Sequence, residues 1–190
     1  DVPTSALTRT AAAEGDDGAE DAAPIEVPGA WTLQGWDAPI YTNVQMPFPG
    51  EAPVVPADNP TGVYQRTIEV PADWAGRDVV LSLGGAESLA VVYVDGAFVG
   101  LATDSRLGSE FDLTPFVTPG QAYTLAIVVI RWSAATWIED QDQWWHGGIQ
   151  GSVTLWSRPA VHLDDLGMVH GLPVDGTTGT LNVDITIGGD

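Results

Sequence analysis

Residues 89–101 read Leu-Ala-Val-Val-Tyr-Val-Asp-Gly-Ala-Phe-Val-Gly-Leu. Two apolar runs of the β type flank Asp95-Gly96, a dipeptide that is typical of the tight turn in a β-hairpin. Similar runs, separated by Gly and Pro, recur along the chain at 63–70, 79–83, 109–113, 123–131 and 149–156. Because no stretch shows a convincing amphipathic helical period, this spacing of short strands predicts an all-β, antiparallel sandwich.

Length and charge narrow the classes of function. With 190 residues, the chain can hold one substantial β domain and a fragment of a second. Asp and Glu number 26 against 6 Arg and no Lys, so the net charge of −20 argues against a nucleic acid or an anionic membrane as partner. Cysteine is absent, which excludes disulfides and zinc–thiolate sites and leaves the compartment open. No apolar run approaches the roughly 18 residues of a membrane-spanning helix.

Composition divides the chain into three parts. Residues 1–24 are poor in large apolar side chains, so we expect a loose, flexible segment. Residues 25–160 carry the strand runs of the sandwich, with a Pro-rich irregular loop at 37–60. Residues 161–190 hold two or three more strand runs, too few to close a core, so we expect the start of a second β domain. The chain begins at Asp1 with neither Met nor a signal segment, and we interpret it as an excised piece of a longer protein.

One loop concentrates the chemistry. Residues 137–149 read Trp-Ile-Glu-Asp-Gln-Asp-Gln-Trp-Trp-His-Gly-Gly-Ile, with three carboxylates, three Trp and one His between two strand runs. A loop that is supported by strands is a common way to present binding residues. In an extended backbone Asp140 and Asp142 face one way and Glu139 the other. The carboxylate of Asp142 can accept hydrogen bonds from two neighbouring hydroxyl groups of a ligand, although a solvated acidic loop is the alternative.

Four further residues are candidate ligand contacts, and each has a structural alternative. Asn43 can donate and accept at once, although Asn is also common in turns. Trp144 and Trp145 can offer a flat face to a pyranose ring, although Trp is also the largest core filler. His146 suits a hydrogen-bonded neighbour better than a base. The residues alone leave these alternatives open.

Catalysis and metal binding find weaker support in the same loop. A glycosidase needs two carboxyl groups about 5–10 Å apart on opposite sides of one bond, and acids from one short loop can hardly straddle a sugar. A calcium site would draw on the same acids, but the Asp-x-Asp-x-Asp-Gly pattern is missing. The sequence also lacks the Gly-x-Ser-x-Gly elbow of a serine hydrolase.

Four segments follow one another between residues 25 and 160: Val27-Pro-Gly-Ala-Trp-Thr-Leu-Gln-Gly-Trp-Asp-Ala-Pro-Ile-Tyr-Thr-Asn-Val44, Asp58-Asn-Pro-Thr-Gly-Val-Tyr64, Asp104-Ser-Arg-Leu-Gly-Ser-Glu-Phe-Asp-Leu113, and Arg131-Trp-Ser133 with Glu139-Asp-Gln-Asp-Gln-Trp144. In order and spacing they resemble the N-terminal sugar-binding domain of glycoside hydrolase family 2, in its β-galactosidase-like members. The resemblance implies a jelly-roll (galactose-binding-like) sandwich at 25–160, followed by the first strands of an immunoglobulin-like sandwich at 161–190. Two features depart from the family. Gln150-Gly151 stands where the family usually has an Arg, and the family's opening strand with its Trp is missing ahead of residue 25.

The same resemblance implies a parent enzyme that hydrolyses terminal β-D-galactosides by a retaining mechanism. In such enzymes the nucleophile and the general acid lie in a later (β/α)8 barrel, so we expect no catalytic residue in this chain. Asp142 is implied to bind galactose hydroxyls and to help hold a sodium ion, whereas magnesium belongs to the missing barrel. Asn43, Trp144, Trp145 and His146 complete the expected substrate contacts.

The expected partners are the parent's own immunoglobulin-like and barrel domains and a galactoside, in a homo-oligomeric, cytoplasmic parent. A different class of function is a stand-alone carbohydrate-binding sandwich with Trp144 and Trp145 as its platform. A third is a purely structural spacer or oligomer contact, in which Asp142→Ala changes stability and leaves substrate handling alone.

Overall fold

The computed structural model describes residues 7–10, 22–140, 142–174 and 176–189, with only the backbone described at 7–10. In the described part the helices are short 3₁₀ turns, at Trp31–Leu33, Ala72–Trp74 and Ala134–Trp137, and none of them is long and apolar enough to cross a membrane. The strands are β1 Leu7–Thr10, β2 Ala23–Ile25, β3 Gly29–Ala30, β4 Ile40–Tyr41, β5 Thr61–Glu69, β6 Arg77–Leu83, β7 Ala86–Glu87, β8 Leu89–Val94, β9 Ala97–Ala102, β10 Ser109–Asp112, β11 Ala122–Ile130, β12 Trp144–Trp145, β13 Gly148–Ile149, β14 Val153–Pro159, β15 His162–Gly171 and β16 Thr180–Gly188. All of their described pairings are antiparallel, which confirms the predicted fold class.

The larger sheet orders its strands β2-β1-β5-β11-β8-β9. β5 and β11 pair along their whole nine-residue length, from Thr61 opposite Ile130 to Glu69 opposite Ala122. β8 and β9 form the predicted hairpin over Asp95-Gly96, where φ is +46° at Asp95 and +79° at Gly96. Positive φ at both central residues is the turn that matches the right-handed twist of a hairpin, and an Asp-Gly dipeptide favours it.

The second sheet, with the order β10-β6-β14, covers the inner face of the larger one. In β8 and β11 alternate residues point into the core, where Ile127 and Val129 pack with Leu81 of β6 and all three are buried. Burial of such a side chain stabilises the fold by about 1.5–3 kcal/mol relative to exposure. The contact between the two sheets is therefore the main source of stability.

Gly151 interrupts the strand run that the sequence predicts at 149–156, and the structure divides this run into β13 and β14. A Cβ added at Gly151 would lie 2.2 Å from the carbonyl carbon of Gly84. Because real Cβ atoms do not approach this closely, the contact between the two backbones admits only Gly.

Two small sheets fix the loops where β5 begins and β11 ends. β12 pairs with β4, and β13 lies between β3 and β7. Beside them a second buried cluster joins Phe48, Trp132 and Trp145. Phe48 lies edge-on to Trp132, with ring centroids 5.2 Å apart, and edge-on to Trp137 at 5.4 Å. The Pro-rich loop at 37–60 is thus irregular outside β4, as predicted, and its aromatic side chain anchors it.

β15 and β16 form a separate two-stranded sheet. The sequence predicts two runs, at 161–163 and 166–169, and the structure joins them in β15 with an irregularity between Leu163 and Asp165. Apolar side chains on both strands are exposed, among them Met168 and Ile185. The assignment of this hairpin to an immunoglobulin-like domain stays a prediction.

The flexible segment predicted at 1–24 falls mostly outside the described residues. Within it, Leu7–Thr10 and Ala23–Ile25 are strands and so depart from that prediction. β1 pairs with β2 on one side and with β5 on the other. These strands extend the larger sheet beyond β5.

Candidate functional site

β11 leads directly into the loop at 137–149. Ser133 caps the short 3₁₀ helix that comes first: its Oγ accepts from the backbone N–H of Ala135 at 3.2 Å, and its own N–H donates to Thr136 Oγ1 at 3.0 Å. The loop returns through β12, where Trp144 lies opposite Tyr41 of β4. This pairing brings the segment that contains Asn43 alongside the loop.

Asp142 is exposed, and one of its carboxylate oxygens accepts a hydrogen bond from the hydroxyl of Tyr41 at 2.5 Å. This hydrogen bond raises the pKa of the Tyr41 phenol above its usual value of 10.0, and desolvation and the charge of Asp142 act in the same direction. Asn43, two residues after Tyr41, is exposed as well. The predicted pair Asp142 and Asn43 thus lies on two adjacent, accessible segments, and Tyr41 is a member of the site that sequence reasoning missed.

The two neighbouring tryptophans have opposite environments. Trp144 is 54% exposed, with its ring centroid 5.6 Å from that of Tyr41. Trp145 is 3% exposed, packs edge-on to Trp132 at 5.8 Å and donates from Nε1 to Thr42 Oγ1 at 2.7 Å. A ring buried on this scale cannot stack on a sugar, so the structure corrects the expected substrate contact at Trp145. Of these two tryptophans, Trp144 is the one with an exposed ring face.

His146 is half-buried, and its Nδ1 lies 2.7 Å from Thr32 Oγ1. Burial lowers the pKa of this imidazole below its usual value of 6.5, and the charges of Arg131 and Arg106 lower it further. The hydrogen bond to the Thr32 hydroxyl fastens the loop to the 3₁₀ turn Trp31–Leu33. A contact of His146 with substrate stays a prediction.

Arg131 is the central support of the site. Its guanidinium is buried and forms an ion pair with Asp37. It also donates to the carbonyl oxygens of Ala38 at 3.0 Å, Trp145 at 3.0 Å and His146 at 3.3 Å. A planar fork of donors can satisfy several acceptors at once, which a Lys cannot do. The position of Arg131, directly after the apolar run of β11, was the available sequence signal for a buried charge.

A second set of contacts holds the first half of the loop. Glu139 accepts from the backbone N–H of Ser105 at 3.0 Å and from its Oγ at 2.5 Å. Glu139 therefore faces the turn at 104–107, whereas Asp142 faces Tyr41, in keeping with the predicted alternation. Among the described residues no group of three His, Cys, Asp or Glu side chains is close enough to hold a metal ion.

The comparison of sequences identifies relatives. A family model described as "Glycosyl hydrolases family 2, sugar binding domain" matches residues 11–159. The β-galactosidase of Pectobacterium atrosepticum is 44% identical over 167 residues, which are 87% of this chain and 16% of that protein. The β-galactosidase of Psychromonas ingrahamii is 42% identical over 159 residues, 84% of this chain and 15% of that protein. The chain thus spans 15–16% of the length of these curated relatives.

The comparison of structures supports the same fold. The β-D-glucuronidase of Dictyoglomus thermophilum matches with a TM-score of 0.67 and 16% identity, over 96% of this chain and 31% of that chain. A β-galacturonidase from Eisenbergiella tayi matches with a TM-score of 0.68 and 16% identity, over 98% of this chain and 29% of that chain. At such identities the likeness concerns the fold alone. Since the family model covers most of the sequence, the chain belongs to the sugar binding domain family of the glycosyl hydrolases family 2.

Proposed function

We propose that this chain is the sugar-binding domain of a longer, retaining enzyme that hydrolyses terminal β-D-galactosides. In this proposal the 137–149 loop, called the sugar loop below, and Asn43 complete a galactoside pocket whose larger part belongs to a downstream (β/α)8 barrel. The observation that carries the proposal is the accessible carboxylate of Asp142, which Tyr41 holds in place at 2.5 Å beside the exposed ring of Trp144. The β-galactosidase relatives supply the substrate class.

The chemistry of the site suits recognition of hydroxyl groups. A carboxylate with one oxygen already oriented by a phenol can accept from sugar hydroxyls without a further ordering cost. Trp144 adds an aromatic face, worth about 0.5–1.5 kcal/mol beyond burial when the geometry is right. The neighbouring acid Glu139 is engaged with Ser105, so it does not form the two-carboxylate pair that glycoside hydrolysis needs. Catalysis is therefore assigned to the barrel.

A sodium ion is compatible with the part of the Asp142 carboxylate that Tyr41 leaves free. Because the described residues offer no cluster of acidic or His ligands there, the remaining oxygens would come from the sugar, from water or from the rest of the enzyme. The role of this chain is then to supply one charged oxygen.

Exposed apolar side chains around the sugar loop support docking on another domain. Val44 is 89% exposed and Ile138 85%, and Leu107 is exposed nearby on the turn that Glu139 holds. Isolated exposed apolar residues are ordinary, but three of them on the segments that frame one carboxylate suit a surface that becomes covered. The exposed hairpin β15–β16 is proposed to be the start of the immunoglobulin-like domain that precedes the barrel.

The second candidate is a stand-alone carbohydrate-binding sandwich. The exposure of Trp144 beside Tyr41 favours it, because this pair could act as a platform without any partner. It predicts a measurable affinity of the isolated chain for sugar.

Titration of the chain with galactose and lactose, followed by NMR of backbone amides and Trp indoles with and without sodium, separates the two candidates. The enzyme-domain proposal expects no saturable shift up to ~100 mM sugar, whereas a binding module gives saturation below ~10 mM, a free energy of only a few kcal/mol. In the longer enzyme, Asp142→Asn removes charge-assisted hydrogen bonds worth about 1.5–3 kcal/mol each and should lower kcat/KM roughly 10- to 150-fold. Asp140→Asn, an exposed neighbour, is the matched control. An unchanged kcat/KM in Asp142→Asn would refute the proposed role of Asp142 in binding the substrate.

A further inference from the structure

Glu87 carries a carboxylate that the proposed sugar contacts do not use. It lies on β7, which pairs with β13 at the end of the sugar loop, and the residue is 2% exposed. Burial raises the pKa of this carboxyl, while Arg106, Gln150, His146 and Arg131 act in the opposite direction. A buried acid is costly unless several donors surround it, so its partners indicate what it is for.

The two hydrogen bonds that Glu87 accepts come from the sugar loop and from the residue after it. Its Oε1 accepts from the backbone N–H of His146 at 3.2 Å, and its Oε2 accepts from Gln150 Nε2 at 2.6 Å. Arg106 Nη1 lies 3.4 Å from the same Oε2. One carboxylate thereby ties the end of the sugar loop to the turn at 104–107.

Arg106 carries the connection onward to the residue next to Asp142. With the amide of Gln143 oriented so that its oxygen faces the guanidinium, this oxygen accepts from Arg106 Nη2 at 2.6 Å and from Nε at 3.1 Å. The turn that presents Arg106 is itself fixed, because Asp104 Oδ1 accepts from the backbone N–H groups of Arg106 and Leu107, both at 2.9 Å. A continuous series of contacts thus runs from buried Glu87 through Arg106 to Gln143, the residue that follows Asp142.

We propose that Glu87 and Arg106 are positioning residues that set the place of Asp142 through Gln143 and His146. The expected effect on catalysis rests on the proposed function, whereas the contacts themselves do not depend on it. Arg131 holds the carbonyl oxygens of Trp145 and His146 on the other side. Arg106 and Arg131 thereby both hold the segment from Asp142 to His146. Glu87 supplies the negative charge that pairs with Arg106. Glu87→Gln would remove this charge and would replace one of the two accepting oxygens by an NH2 donor.

The first test uses the chain itself, with amide hydrogen exchange across Asp142–Trp145. Glu87→Gln and Arg106→Gln should each accelerate exchange in this segment at least about tenfold, because the segment loses its local anchor. Arg106→Lys should restore part of the protection, and Glu110→Gln, an exposed acid on β10, should change exchange less than about twofold. Unchanged exchange in this segment in both Gln variants would overturn the proposal.

The second test is a double-mutant cycle in the longer enzyme. If Glu87 acts through Asp142, Glu87→Gln lowers kcat/KM in the native background and has less than about a twofold effect once Asp142→Asn is present. Equal effects in both backgrounds would overturn the positioning role. If Asp142→Asn alone leaves kcat/KM unchanged, the proposed function fails, and the hydrogen-exchange result still decides the proposal on the loop.

Discussion

Replacement of Arg131 by Met tests whether one buried guanidinium holds the site together. The substitution removes the donors to the carbonyl oxygens of Ala38, Trp145 and His146, and it leaves Asp37 without its partner. The carbonyl oxygen of Trp145 is buried, so the loss of its donor costs about 1–3 kcal/mol, whereas the part-buried carbonyl oxygens of Ala38 and His146 each add less. Asp37 retains access to water because its side chain is 29% exposed, so it adds little. Since the loops relax in part, we expect the lost hydrogen bonds together to lower the free energy of unfolding by about 2–5 kcal/mol.

Urea unfolding followed by circular dichroism measures this loss, and Arg158→Met is the matched control. Arg158 forms partly exposed ion pairs with Asp78 and Asp164 at 3.5 Å, which contribute about 0–1 kcal/mol, and its guanidinium also lies 5.9 Å from the ring centroid of Trp156. Arg131→Lys should recover a minority of the loss, since one ammonium cannot replace the fork of donors. A loss below about 1 kcal/mol in Arg131→Met, equal to that of the control, would refute the assignment of Arg131 as the central support.

Three further changes probe the site and its frame. Trp145→Ala should lower the free energy of unfolding by about 3–5 kcal/mol because the ring is buried. Trp144→Ala should change it by no more than about 0.5 kcal/mol because this ring is exposed. Thermal unfolding measures both variants, and a larger loss in Trp144→Ala would contradict the assigned burial. Gly151→Ala should cost at least about 1–3 kcal/mol because of the contact with Gly84, while Gly108→Ala, whose added Cβ would meet nothing closer than 3.7 Å, should be nearly neutral in the same urea assay. Burial lowers the pKa of His146 below 6.5, so the unfolded state binds the proton more tightly and stability is lost as the pH falls through this range. Stability of the native chain relative to His146→Gln should therefore decrease between about pH 7.5 and about pH 5.5, and a pH-independent difference would argue against a depressed pKa.

The positions of several strands along the chain could be predicted well because the signals that mark them are local. Alternation, Gly and Pro punctuation and the Asp95-Gly96 turn each act within a few residues, and the β8–β9 hairpin and β11 lie where these signals place them. The 149–156 run was wrong as a single strand because the reason for its break, the backbone of Gly84, lies far away in sequence. A local pattern carries no information about such an approach.

The sequence by itself determined the antiparallel fold class and pointed to the sugar loop as the place of the chemistry. It could not tell which of Trp144 and Trp145 is buried. The two side chains point to opposite sides of the chain, and only the tertiary structure shows on which side the core lies. It also gave no sign of the contacts that arrange the site, since Tyr41 and Asp142 are 101 residues apart and Arg131 and Asp37 are 94 apart. Only tertiary structure brings such pairs together: the packing of the two sheets and the short β4–β12 pairing fix which polar side chains are buried and which are left to meet a ligand.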